Sequence, residues 1–291
     1  MEAARYAIPR SAGNDLLVIG ISASGETART IEAMRLAKDR GAHTLGITAD
    51  PESTLATTAN SIFELDLPDQ PEGPGLISYL AALLAGYAIG YQLAKSRLRE
   101  PVDSALNSLP EALSEWMENE LAIGQEAAQN IDPNQPIMFL GSGPVRGAAM
   151  FAAAKVVEAA GQSASSQDVE EWAHLEYFND PSQLPVWLLS AGGRSLGREQ
   201  EVAEAAIQIG RTLIRSEWSV GPDWLREDLS PLVLWAGPVK YANSLMDRLG
   251  ERPFRDFTGG RDRSEGGGAS RIRSSAQLHS LKELSKIKPF N

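Results

Sequence analysis

Residues 16–41 read LLVIGISASGETARTIEAMRLAKDRG, and the fold follows from two changes of character within this stretch. Leu16, Leu17, Val18 and Ile19 form a short continuous apolar run, which predicts a strand buried on both faces. Ser22, Ala23, Ser24, Gly25, Glu26 and Thr27 then make a small, hydroxyl-rich turn. Ile31, Met34 and Ala37 recur three apart, so a helix follows, with Gly41 as its stop. A helix N-terminus presents unpaired N–H groups and the positive end of the dipole, and both favour an anion. Small residues let an oxyanion approach the backbone, and Ser22, Ser24 and Thr27 add hydroxyl donors. The turn holds no Lys or Arg, so neutral donors would hold a phosphate group there. The plainer alternative is that Ser24 only caps the helix, a role serine commonly takes.

Outward from this stretch the pattern alternates. His43–Thr48 reads as a strand, 50–59 as a short helix opening with Pro51, and Ser61–Leu65 as a further strand. Residues 73–94 carry no charge and are long enough to raise the question of a membrane span. They are Ala- and Gly-rich, however, are broken at Gly73-Pro74-Gly75, and hold Tyr79, Tyr87, Tyr91 and Gln92. A helix packed inside an α/β domain or at a dimer interface fits them better, and no membrane partner is expected. Alternating strands and helices predict a mostly parallel sheet flanked by helices, with ligands beyond the carboxyl ends of the strands.

Between 97 and 135, Leu106, Leu109, Leu113, Trp116 and Leu121 recur at helical spacing, which predicts a long amphipathic linker helix. A second α/β unit begins at Ile137, again as strand, Gly141-Ser142-Gly143 turn and helix. Pro185–Ser190 and Leu232–Trp235 read as later strands, with a helix over Glu199–Arg211 between them. The expected division is a first domain at 1–98, a helical linker at 99–135, a second domain at 136–258 and a Gly/Arg-rich tail at 259–291.

Composition narrows the function. A net charge of −11 and a pI near 4.9 argue against general nucleic-acid binding. The absence of cysteine excludes disulfides, thiolate metal sites and a cysteine nucleophile. With three histidines (43, 174 and 279), no metal or other cofactor is expected. The N-terminal residues lack the apolar core of a signal peptide, so a cytoplasmic location is expected. Lys155 and Glu158 lie three apart on one helix face, and His174 follows in EEWAHLEYF. By themselves they read as a solvated ion pair and a structural histidine.

The segment ISASGET, with the helix after it and GAHTLGITADPESTLATTANSIFELDLP, closely resembles the phosphosugar-binding motif of sugar isomerase (SIS) domains. The resemblance implies that Ser22, Ser24, Gly25 and Thr27 hold the substrate phosphate. It also implies two SIS domains, each a flavodoxin-like three-layer sandwich. The family's usual opening strand, Gly-x-Gly-x-Ser turn and helix stand at Gly141-Ser142-Gly143 in the second copy, which adds Ser142 to the binding set. Only twenty-one residues precede Ser22, so the first copy is expected to be N-terminally truncated.

Lys155, Glu158, Glu171 and His174 match the Lys-x-x-Glu and Glu-x-x-His of the isomerase half of glucosamine-6-phosphate synthases. By that resemblance Glu158 is the base that moves a proton between C1 and C2, His174 assists ring opening, and Lys155 is an auxiliary group. Aldose–ketose interconversion needs such a carboxylate over two adjacent carbons, with a phosphate anchor for positioning. There is no glutaminase domain, Leu76-Ile77 replaces the family's Thr-Lys, and its C-terminal Leu-Ala-Lys has no counterpart. Arg261, Arg263, Arg271 and Arg273 lie among glycines, as a low-complexity tail or as an anion-contacting loop. The expected function is metal-free isomerisation of a sugar phosphate, or isomerisation and deamination of an aminosugar phosphate, by a homodimer. The alternatives are a non-catalytic phosphosugar sensor and an inactive fragment.

Overall fold

The computed structural model describes residues 3–9, 13, 15–69, 74–93, 99–179, 184–221, 223–252, 278–284 and 286. The chain forms two compact units. The first comprises Met1–Pro71, Gly75–Leu93 and Phe257–Asn291, and the second Glu72–Pro74 and Ala94–Asp256.

The first unit runs α1 (Ala3–Tyr6), β1 (Leu17–Ile21), α2 (Ala28–Asp39), β2 (His43–Thr48), α3 (Thr54–Thr58), β3 (Ser61–Glu64) and α4 (Ile77–Leu93). Its strands are parallel in the order β1-β2-β3, with Leu17 opposite His43 and Leu45 opposite Ser61. α2 and α3 cover one face, where Ile31, Met34 and Leu55 pack against Val18. Gly20 permits this approach, since a Cβ there would lie 2.8 Å from the Met34 side chain. Pro51 precedes α3 in a turn, and Ser53 caps that helix by accepting from the Ala56 N–H.

On the other face α4 lies over Ile47 and Leu65. The expectation of a strand buried on both faces fails at β1, where Leu17, Ile19 and Ile21 are 43, 41 and 48 % exposed. β1 is one of the two edge strands of its sheet, and the helical cover over β2 does not extend to it. An apolar run specifies burial only if a neighbour arrives to provide it. The C-terminal residues join this unit. Leu284, in the short helix Leu281–Leu284, is 1 % exposed among Ala4, Ile8, Ala33, Leu36 and Ala37. His279 donates its backbone N–H to buried Glu32, which also pairs with Arg29. Part of the segment read as a tail is therefore core. Arg261, Arg263, Arg271 and Arg273 lie outside the described residues.

The second unit contains α5 (Arg99–Asn130), β4 (Ile137–Leu140), α6 (Val145–Ala160), β5 (Ala164–Gln167), α7 (Val169–His174), β6 (Pro185–Ser190), α8 (Leu196–Gln208), β7 (Thr212–Glu217), α9 (Asp223–Leu229) and α10 (Ala236–Leu249). Its parallel sheet has the order β5-β4-β6-β7. α5 does not stand apart as a linker. It packs on α10 so closely that a Cβ at Gly124 would come within 2.4 Å of the Gly237 carbonyl oxygen. Trp187, fully buried, donates to Ser216 Oγ at 2.9 Å, and Ser216 donates to Glu120 Oε2 at 2.5 Å. The Glu120 carboxyl is only 2 % exposed, and burial pushes its pKa up to about 7 against the pull of the Ser216 bond.

One expected strand is absent. Leu232–Trp235 lies in a 3-10 turn over Ser230–Leu232 and the turns leading into α10. Ser230 donates to the Glu227 carbonyl at 2.7 Å and Pro231 follows it, so the backbone turns where apolar content alone reads as extended. The fourth strand is instead β7, whose TLIRSE holds two charged residues.

Candidate functional site

Ser22 to Thr27 form the loop between β1 and α2, at the carboxyl end of the parallel sheet. The Ser22 N–H donates to the Ile47 carbonyl at 3.0 Å, and the Gly25 N–H turns back to the Ser22 carbonyl at 3.0 Å. Ala49 N–H donates to Ala23 O, and Leu55 N–H to Gly25 O, each at 2.9 Å, so both following segments clamp the turn. Gly25 has φ +67°, and a Cβ there would lie 2.0 Å from Ser53 Oγ. Only glycine meets both conditions.

Ser22 is 8 % exposed, and its Oγ lies 2.8 Å from Thr27 Oγ1. Thr27 is the N-cap of α2 but makes no side-chain cap bond, so its hydroxyl leaves the first-turn amides uncapped by it. Ser24 is exposed and accepts from the Glu26 N–H at 3.3 Å, so the reading of Ser24 as the helix cap is not borne out. Glu26 turns toward α3. Its carboxylate accepts from the Thr54 N–H at 2.7 Å and from Thr54 Oγ1 at 2.8 Å, and these bonds, the backbone one foremost, lower its pKa. The one acidic residue of the loop is thus spent on holding α3. The remaining surface consists of hydroxyls and helix amides, a neutral donor set that suits an oxyanion.

In the second unit Ser142 is half-buried in the turn between β4 and α6, beside Gly143 at φ +57°. Lys155 and Glu158 are brought together on α6, with Nζ donating to Oε2 at 2.5 Å. The Lys155 side chain is 12 % exposed, and its Nζ stands 4.9 Å from the centroid of the Phe151 ring. His174, on α7, is bonded elsewhere. Its Nε2 is 2.8 Å from Glu170 Oε1, and Glu170 also accepts from Arg198, which reaches Glu201. His174, then Arg198, hold the Glu170 carboxyl below its usual range. The His174 side chain is 71 % exposed in this surface network, and Glu171 is exposed beside it. Among the described residues no group of three or more His, Asp or Glu could hold a metal ion.

A feature not foreseen is the loop after β6, SAGGRS at 190–195. Ser190 and Ser195 both donate to the buried carboxylate of Glu199 at 2.5 Å, and Arg194 donates to Glu227 at 2.7 Å. The signal was a second small-residue turn between a strand and a helix. Here the chain's own carboxylate takes up the hydroxyls.

Residues 2–91 match the SIS domain. The matched SIS region contains the whole Ser22–Thr27 loop. The glutamine–fructose-6-phosphate aminotransferase (isomerizing) of Gloeobacter violaceus is 28 % identical over 185 residues, covering 61 % of this chain and 30 % of that protein. The chain thus spans under a third of that relative's length. The fold is shared with the C-terminal domain of glucosamine-fructose-6-phosphate aminotransferase from Francisella tularensis, at 18 % identity and a TM-score of 0.65, covering 80 % of this chain and 73 % of that one. It is shared also with tagatose-6-phosphate ketose/aldose isomerase from Escherichia coli, at 15 % identity and a TM-score of 0.64, covering 84 and 71 %.

Proposed function

We propose that this chain binds a sugar phosphate through Ser22, Ser24, Gly25 and Thr27, working as a cytoplasmic homodimer. The observation that carries the reading is the paired Ser22 and Thr27 hydroxyls at an uncapped helix N-terminus, inside the region that matches the SIS domain. The reaction class proposed is aldose–ketose isomerisation, or isomerisation and deamination of an aminosugar phosphate, with the second unit a further copy of the same domain type. Glu158 is the proposed proton-transfer base, Lys155 an auxiliary polar group bonded to it, and His174 the residue that assists ring opening, with Ser142 a further binding group. Similarity to an aminotransferase and to ketose/aldose isomerases supports this reading.

Binding without turnover is the second reading. It is favoured by the engagement of His174 with Glu170 and of Lys155 with Glu158. Thermal unfolding against fructose 6-phosphate, glucose 6-phosphate, glucosamine 6-phosphate and inorganic phosphate tests the site, since a ligand bound only by the folded state raises the midpoint. A rise with one sugar phosphate, reduced by Ser22→Ala and Thr27→Ala to the extent of about tenfold in affinity each, supports it. No rise from a cooperatively melting protein overturns it. Loss of turnover in Glu158→Gln with retained affinity then selects the enzyme over the binding protein.

A further inference from the structure

The sheet of the second unit runs β5-β4-β6-β7, so the chain steps from β4 to one side and then to the other. The loops after β4 and β6 therefore diverge at the carboxyl ends of adjacent parallel strands, the switch point at which such sheets open a crevice. Both loops are built from small residues, Gly141-Ser142-Gly143 on one side and Ala191-Gly192-Gly193 on the other.

Glu227 of α9 fills the gap between them. It is 8 % exposed. A Cβ at Gly193 would lie 2.7 Å from its Cδ and 2.9 Å from its Oε1, and a Cβ at Gly143 would lie 3.5 Å from the same oxygen. The carboxyl group thus takes space that the two glycines leave. Arg226 pins α9 in place, donating from Nε to the Ala191 carbonyl at 2.8 Å and from Nη2 to the Gly192 carbonyl at 2.9 Å. Arg194 closes over the outside, with Nε donating to Glu227 Oε2 at 2.7 Å while its own side chain is 81 % exposed.

A surface arginine alone does not offset the burial of a carboxylate. The crevice supplies the rest of the reason. α6 opens there, directly after Gly143 and Pro144, and the N-terminus of a helix of sixteen residues favours a negative charge. Its first turn also keeps Arg146 Nη1 buried with no hydrogen-bond partner among the described residues, a donor that Glu227 leaves unmet. Glu227 stands where an oxyanion would.

We propose that Glu227 is a plug held in cis. With α9 docked it closes the crevice beside Ser142 to oxyanions, and the crevice takes a phosphate group when α9 withdraws. The proposal rests on the sugar-phosphate reading only for the class of ligand, and it makes withdrawal of α9 the condition under which Ser142 binds one.

The test uses the whole chain carrying Ser22→Ala and Thr27→Ala, which remove the first loop's contribution. It therefore stands whether or not that loop binds. All six tryptophans lie in the second unit, so their fluorescence reports its melting. Against sodium chloride of matched ionic strength, about 10 mM inorganic phosphate should raise the midpoint of Glu227→Ala by roughly 3–5 °C, as a site of millimolar affinity would. The parent should move by less than about 1 °C under the same conditions. Glu227→Gln keeps the crevice filled and should behave as the parent. Should Glu227→Ala fail to fold, Gly193→Ala carries the test. Gly193 lies outside the left-handed region, and its new methyl group displaces the plug without deleting it. A larger shift with fructose 6-phosphate than with phosphate would name the sugar ester as the ligand, and equal shifts a bare phosphate group; both support the plug. No shift in a folded variant overturns it. So does a parent that responds as Glu227→Ala does, since the crevice is then open already, or an equal response in Glu227→Gln, since charge rather than occupancy then closes it.

Discussion

β1 and β6 occupy comparable positions, each a parallel strand that ends in a small-residue loop and a helix, and they differ in every aspect of their surroundings. β6 is buried at all six positions, paired on both edges and covered on both faces, with Val186 and Leu188 against Val202, Ala203 and Ala206 of α8 and Trp187 against Tyr241 of α10. β1 has β2 on one edge and alternates exposed side chains with covered ones. The loops differ in the same sense. After β1, the Ser22 and Thr27 hydroxyls bond one another and face an uncapped helix. After β6, Ser190 and Ser195 are consumed by Glu199, a carboxylate placed in the first turn of α8 where the dipole favours it. A loop that supplies its own anion has little left to offer a phosphate. The open surroundings belong to the unit with the open loop, and the closed ones to the unit that has become a packed core.

The largest expected effect separates the two loops by their glycines. Gly25→Ala combines a left-handed backbone with a methyl group 2.0 Å from Ser53 Oγ, and should cost about 4 kcal/mol. Gly192→Ala shares the left-handed φ, +58°, but its nearest contact is the end of the Arg226 side chain at 3.3 Å, so about 1.5 kcal/mol is expected. Hydrogen exchange read on peptides from 16–65 and from 185–217 measures each separately. Equal losses of protection would show that the first loop is no more tightly constrained than the second.

Glu199→Ala breaks the comparison from the other side. It strips the acceptor from two hydroxyls, one of them on the buried Ser190, and should destabilise the second unit by about 3 kcal/mol. All six tryptophans lie in that unit, so their fluorescence reports its unfolding. If the variant melts like the wild type, the carboxylate is not what closes this loop.

How far the sequence revealed this depends on the range of the interaction involved. The Ser22–Thr27 loop was legible because small size, positive φ and hydroxyl chemistry are all required within six consecutive residues. The exposure of β1 was not, since LLVI carries the same apolar content whether or not a helix covers its face. β7 escaped notice because TLIRSE is polar, and Leu232–Trp235 misled because a buried turn and a buried strand need the same side chains. The return of His279 to Glu32 joins residues 247 apart, and no local pattern encodes it. The catalytic candidates were found by resemblance, and of these only Lys155 and Glu158 are bonded to each other.

The smallest expected effect concerns the core that makes β6 so different from β1. Glu120 lies beneath Trp187 and Ser216 with its pKa raised from 4.5 to about 7 by burial. In the unfolded chain it ionises near its ordinary value, so between these two limits the native state holds a proton that the unfolded state has released. The contribution of the buried neutral carboxyl is therefore complete below about pH 4.5, declines as pH rises, and is lost by about pH 7. After allowance for solvent relaxation around the site, the change is on the order of 2 kcal/mol. Glu120→Gln keeps a neutral group of the same shape against Ser216. Tryptophan-detected denaturation of the wild type should show stability falling across this window, and the variant should lose that component of the slope. An identical slope in both would mean that Glu120 is ionised in the folded protein at neutral pH. The β6 side of the comparison would then rest on a buried charge rather than on a dry, neutral core.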